Sequence, residues 1–181
     1  MEVPAKGESS SMRNLILALL PFLSFAACGA QSLTVKPLEP AVIGEVNLLD
    51  SSGQALKPLP EEQWKAKGKP GWTTVTGSIQ ISGERSSFRV KANEKIEFVF
   101  RTGQPENIRL YPFSQKKNLR YCDLVKLKGV WTKERETIQG IPVEITKFGE
   151  SSYKLVPKSP LEPGEYGIDL SGKLFTFGID Q

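Results

Sequence analysis

Leu161-Glu162-Pro163-Gly164-Glu165-Tyr166-Gly167-Ile168 is the stretch whose reading decides the fold. Pro163-Gly164 is a turn signal, because proline pre-sets its own φ and glycine tolerates conformations that other residues avoid. A positive φ at Gly164 would make that glycine hard to replace. Tyr166 follows two residues later, and a buried tyrosine needs a partner for its hydroxyl, which nearby backbone can supply. The stretch therefore predicts one strand before the turn, at Tyr153–Val156, and one after it, at Tyr166–Leu170. A last strand follows over Lys173–Ile179, with Ser171-Gly172 as the hairpin turn between the final two.

Outward from there, period-two alternation dominates and no segment carries a helical stripe. Ile79 and Ile81 flank Gln80, and Phe88 and Val90 flank Arg89. Ile96, Phe98 and Phe100 alternate with Glu97 and Val99 before the breaker Thr102-Gly103-Gln104-Pro105. Ile108 and Leu110 flank Arg109, and Tyr111-Pro112-Phe113 is expected to end that strand, since proline cannot donate to a ladder. Val143 and Ile145 flank Glu144, Tyr153 and Leu155 flank Lys154, and Phe175, Phe177 and Ile179 alternate with Thr176 and Gly178. Short strands spaced by Gly, Pro, Asn and Ser predict an all-β fold, a sandwich or a barrel.

The leucine, tight turn and tyrosine of Leu161–Ile168 resemble the tyrosine corner of immunoglobulin-like and fibronectin-type sandwiches, where such a turn leads into the penultimate strand. The resemblance implies an immunoglobulin-like antiparallel β-sandwich, from which no function follows. A second resemblance runs along more of the chain. A leucine-rich hairpin, then Ile81-Ser82-Gly83-Glu84-Arg85-Ser86, a Phe-rich strand and Ile108-Arg109-Leu110-Tyr111 lead to Lys116-Lys117-Asn118-Leu119-Arg120. With the PGEY turn and the FGI strand near the end, this order is similar to uncharacterised exported bacterial proteins. That family implies a fold and a compartment and carries no activity over.

Upstream, Val46–Leu49 and Ala55–Leu59 are separated by Asp50-Ser51-Ser52-Gly53-Gln54, a turn-rich spacer. The stretch from Trp64 to Trp72, WKAKGKPGW, reads as too rich in Gly, Pro and Lys for a stable element. Residues 31–74 are therefore expected to form an N-terminal hairpin extension plus a Trp/Lys-rich loop, leaning on a sandwich over 75–181. PLEP at Pro37–Pro40 and again at Pro160–Pro163 is a coincidence, because no fixed-period repeat accompanies it.

Residues 1–30 read as a signal peptide. Arg13 precedes an apolar run from Leu15 to Ala27 that closes in small residues before Gln31, the layout of a secretory leader. The run is too short to span a bilayer, which takes roughly 20 apolar residues. Met12 would make a compact start for such a leader, and a long n-region from Met1 is the alternative. Two processing routes stand. Cys28-Gly29-Ala30 offers small residues for cleavage after Ala30, which predicts a secreted or periplasmic chain beginning at Gln31. Phe25-Ala26-Ala27-Cys28 resembles the bacterial lipobox, with Phe25 in place of the usual leucine, and implies a membrane-anchored lipoprotein acylated at Cys28. If Cys28 is removed, Cys122 has no intramolecular partner, so a disulfide framework is not expected.

Composition excludes several classes of chemistry. The chain contains no histidine, which removes the commonest general base and transition-metal ligand. One cysteine in the mature chain leaves no zinc-finger site, so neither a metal nor a cofactor is expected. No G-x-S-x-G elbow, P-loop or EF-hand loop occurs. The net charge of +4 is spread among both signs, which suits a solvated surface more than a nucleic-acid face.

Trp64, Lys65, Lys67, Lys69 and Trp72 form the candidate binding surface: exposed indoles stack on sugars or partner side chains, and lysines meet acidic groups. The competing reading is that both indoles pin a loop to the sandwich. Lys116, Lys117 and Arg120, with Lys126 and Lys128 beyond them, form a second basic cluster that equally serves as edge protection. Together these features predict a non-catalytic interaction or structural module of the bacterial envelope, binding a protein or a cell-wall glycan. The alternatives are an accessory domain of an exported enzyme or transport complex, or a weak hydrolase using carboxylates.

Overall fold

The alternating pattern is realised as thirteen strands among the described residues of the computed structural model, which are 38–70, 74–128, 134–137 and 139–181. All belong to the second of two units into which the chain divides, Val35–Gln181. The strands are β1 (Val46–Leu49), β2 (Leu56–Pro58), β3 (Trp64–Pro70), β4 (Thr74–Ser82), β5 (Arg89–Lys91), β6 (Phe98–Arg101) and β7 (Arg109–Lys116). They continue with β8 (Leu119–Lys128), β9 (Glu134–Thr137), β10 (Val143–Phe148), β11 (Ser152–Pro157), β12 (Gly164–Leu170) and β13 (Lys173–Asp180). The leader, its Cys28 and Trp72 lie outside the described residues.

A five-stranded sheet in the order β10-β11-β6-β1-β2 packs on part of an eight-stranded sheet ordered β3-β4-β8-β7-β12-β13-β5, with β9 paired to β8. The fold is an all-β sandwich, one of the two architectures that the alternation predicts. Its main core is aromatic: Phe98 and Phe100 of β6 meet Phe175 and Phe177 of β13, and all four are buried. The Phe98 and Phe177 rings lie 4.8 Å apart, and Tyr166 stacks on Phe177 at 5.4 Å.

A smaller cluster fills the opposite face of β7, β12 and β13. Ile79 and Ile81 of β4 and Cys122 of β8 pack there against Phe113 and Leu174. The β3-β4-β8 arm thus folds back over the sheet to which β8 is joined by only three β7 residues, Ser114 to Lys116. Gly167 makes room for it, since a Cβ at that position would sit 2.5 Å from the Phe113 ring.

Several expectations are corrected. The N-terminal hairpin is no extension: β1 pairs with β6 as well as β2, and Val46 and Leu48 are part of the main core. Trp64–Pro70 is a strand, because its pairing with β4 outweighs weak local propensity. The boundary expected at residues 74/75 therefore falls inside β4. One pairing is parallel, between β13 and β5. The strand expected to stop at Pro112 runs on to Lys116. Leu110 O accepts from Ile141 N on the side away from β12, and two residues on, Pro112 points its missing donor the same way. No strand partner in the ladder is lost there, because β8 joins only at Ser114.

The corner itself is built as its sequence predicts. Tyr166 is buried and its hydroxyl donates to the Glu162 carbonyl at 2.6 Å. Gly164 is not among the positive-φ residues, and a Cβ there meets only ordinary van der Waals contacts, the nearest at 3.6 Å. The requirement for glycine at that position is withdrawn. Ser171 and Gly172 do take positive φ, 55° and 87°, and close the β12–β13 hairpin.

Candidate functional site

Strand parity divides the Trp/Lys segment into two surfaces. Trp64 and Ala66 register with Ile81 and Ile79, both buried, so this face of β3 points inward. Trp64 is 38% exposed and its Nε1 donates to Gly172 O at 3.1 Å, fastening the edge strand to the β12–β13 turn. Lys65, Lys67 and Lys69 register with Gln80, Ser78 and Thr76 on the outer face and are exposed. The indole and the lysines therefore cannot act as one sugar-stacking patch. Among the described residues none of these lysines is in a salt bridge, and each is without a carboxylate partner.

The second basic cluster also separates. Lys116 and Lys117 are exposed at the β7–β8 hairpin, where Lys117 adopts a φ of 54°. Lys126 is exposed on β8. Arg120 is not a surface cation at all: it is 2% exposed, on the inward face of β8 with Cys122.

Arg120 organises an ionic network, buried at Arg120 and Glu165 and reaching the surface at Asp180 and Arg85, that the linear sequence conceals. Its Nη2 meets Glu62 Oε2 at 2.5 Å, Nη1 donates to Thr176 Oγ1 at 3.2 Å, and Nε donates to Gly83 O at 3.2 Å. Glu165, equally buried, lies 3.8 Å from Arg120 and also pairs with Arg89. The Glu165 oxygen that faces Arg120, Oε2, also accepts the Ser86 amide at 2.7 Å, and Oε1 takes Arg89. Arg89 continues to Asp180 at 2.7 Å, and Arg85 closes the chain on the same carboxylate at 2.6 Å. Charges alternate along the path Glu62, Arg120, Glu165, Arg89, Asp180, Arg85. Hydrogen bonds from Arg89 hold Asp180 below the usual carboxylate range, and the Asp180 carboxylate in turn raises the guanidinium of Arg89.

Parity was the available signal for this network. Glu165 faces away from the core that takes Tyr166, and Arg120 shares a face with Cys122, so two charges occupy positions facing a second layer. Chemically the network orders structure. Each of its carboxylates already accepts from an arginine, an arrangement that suits a fixed ionic lock better than proton transfer. A cleft of about 380 Å³ opens beside Arg85, Arg89, Glu165 and Asp180.

A further anion-holding nest receives the chain's own Glu39. Ser151 Oγ donates to Glu39 Oε2 at 2.7 Å, Ser152 Oγ donates at 3.1 Å, and the Glu150 amide donates to Oε1. The Ser151 hydroxyl and the Glu150 amide foremost hold this carboxyl down to about 2. Cys122 is a free, buried thiol, pushed up to about 11 chiefly by burial.

No group of three or more His, Cys, Asp or Glu side chains among the described residues is arranged to hold a metal ion. No helix among them is long and apolar enough to cross a membrane. Neither a protein-family model, nor a curated protein, nor a solved structure matches the chain.

Proposed function

We propose that this chain is an exported, non-catalytic interaction module of the bacterial envelope, an immunoglobulin-like scaffold that presents the outer face of β3 to an envelope protein or cell-wall glycan. The observation that carries the reading is the row Lys65, Lys67 and Lys69. These side chains are exposed and aligned on one face, without a carboxylate partner among the described residues. The buried charges of the same domain are, by contrast, matched with opposite ones. The leader-like N-terminus supports export, with cleavage after Ala30 or acylation at Cys28 as the two routes.

The test joins address to binding. Intact mass of protein from an exporting host should correspond to a chain beginning at Gln31, or at an acylated Cys28. The purified chain should co-sediment with isolated envelope at physiological salt. Retention of Met1 would defeat the export reading, and absence of co-sedimentation would defeat the interaction reading.

A further inference from the structure

We infer that the lysine row of β3 binds a linear acidic glycan; the inference rests on the interaction-module reading and specifies its partner. Alternate residues of a strand stand about 6.7 Å apart, so Lys65, Lys67 and Lys69 place three ammonium groups along a line of about 13 Å. That is a ruler for charges that repeat along a chain. The line runs on an edge strand, whose outer face continues into the register partners Gln80, Ser78 and Thr76, and beyond Thr76 to Lys126. Asp123, opposite Ser78 on β8, is the acidic group on that face nearest the row among the side chains described, two strands away from β3. Among the described residues Asp123 makes no ion pair with any of the three lysines.

The surroundings select the class of ligand. Protein interfaces draw their energy from buried aromatic and arginine anchors, whereas the residues in register with the lysines carry hydroxyl and amide groups, with Tyr121 one strand further on beside Gln80. Trp64, the one large apolar side chain described on β3, lies on the other face, bonded to Gly172 O. A face of lysines interleaved with Ser78, Thr76 and Gln80 offers cations for carboxylates and hydrogen-bonding groups for sugar hydroxyls. A single row of charge fits a linear polymer better than a planar array of lipid headgroups.

The experiment uses the full chain purified from an exporting host, with immobilised polygalacturonate as the acidic glycan and dextran as its neutral counterpart. Retention is expected on polygalacturonate, with release by salt, and not on dextran. The K65Q/K67Q/K69Q variant should bind at least ten-fold more weakly at an unchanged thermal midpoint. The K57Q/K91Q/K158Q variant removes the same charge at exposed lysines elsewhere and should bind within three-fold of the parent. Equal losses in the two variants would reduce the effect to net charge and overturn the proposal. Tighter binding to phosphatidylglycerol vesicles than to the polymer would overturn it in favour of a membrane. Co-sedimentation with envelope but no retention on polygalacturonate would overturn the glycan assignment alone, leaving the interaction module standing.

Discussion

The Tyr166 hydroxyl is one atom on which the corner depends. Tyr166 is buried, and its hydroxyl donates to Glu162 O at 2.6 Å in a part-buried hydrogen bond. Tyr166→Phe keeps the ring stacked on Phe177 and leaves that carbonyl without its donor, so the urea midpoint should fall by the equivalent of about 1–3 kcal/mol. Two glycines of the same strand should respond in opposite ways. Gly164→Ala meets only ordinary van der Waals contacts and should be nearly neutral, whereas Gly167→Ala drives a methyl into the Phe113 ring and should cost about 1–3 kcal/mol. Arg120 is the most demanding residue. Arg120→Met strips Glu62 of its arginine and leaves buried Glu165 with Arg89 alone, which should cost about 3–5 kcal/mol. Adding Glu62→Gln should recover part of that loss, and a fully additive double mutant would show that the two do not interact.

Elements differ in how much of them local sequence can specify. The last hairpin is written in its own residues: Ser171-Gly172 supplies the turn, and Phe175, Phe177 and Ile179 alternate into the core. Ser171 nonetheless sits at φ 55°, a region that asparagine enters more readily, so Ser171→Asn should raise the thermal midpoint by the equivalent of roughly 0.5–1 kcal/mol. β3 is the contrary case. Beyond Trp64 and the alternating lysines little in WKAKGKP favours a strand, and it forms because β4 offers a ladder and the Gly172 carbonyl takes the Trp64 indole. Arg120 likewise reads as one more cation in a basic run until β8 is paired and its face is fixed. Neither segment states its partners in its own residues: β3 takes its ladder from the following β4 and its indole acceptor from distant Gly172, and β8 takes part of its ladder from β4. The candidate surface was legible as a composition, Trp and Lys together, but its division between two faces is a property of register. Trp64→Ala should therefore lower stability by about 1–3 kcal/mol through lost packing and the lost hydrogen bond. Replacing Lys65, Lys67 or Lys69 by glutamine should change it by less than about 0.5 kcal/mol, measured by the same urea titration.

At the scale of the whole molecule, the titrating groups predict a plateau of stability with two edges. Four carboxylates, Glu39, Asp50, Glu97 and Asp180, are held below their ordinary range. For Glu97 burial pushes the other way, and the hydrogen bonds from Lys95 and Lys154 outweigh it. A depressed carboxylate stabilises the fold above its unfolded value, near pH 4, and that contribution disappears as pH falls through the folded value. For Glu39 the folded value is about 2, so the acid edge should extend down to that pH. Cys122 works in the opposite direction. Its folded value of about 11 exceeds the unfolded one, about 8.5, so its contribution is complete below pH 8.5 and is lost as pH rises toward 11. Tyr111 and Tyr166, both raised chiefly by burial, add to the same alkaline edge. Between the edges the chain has no histidine to titrate. The urea midpoint should accordingly be flat between about pH 5 and 8, fall on both sides, and lose part of its alkaline decline in Cys122→Ala. A midpoint that sloped across pH 5 to 8, or an alkaline limb indifferent to Cys122→Ala, would contradict this assignment of the edges.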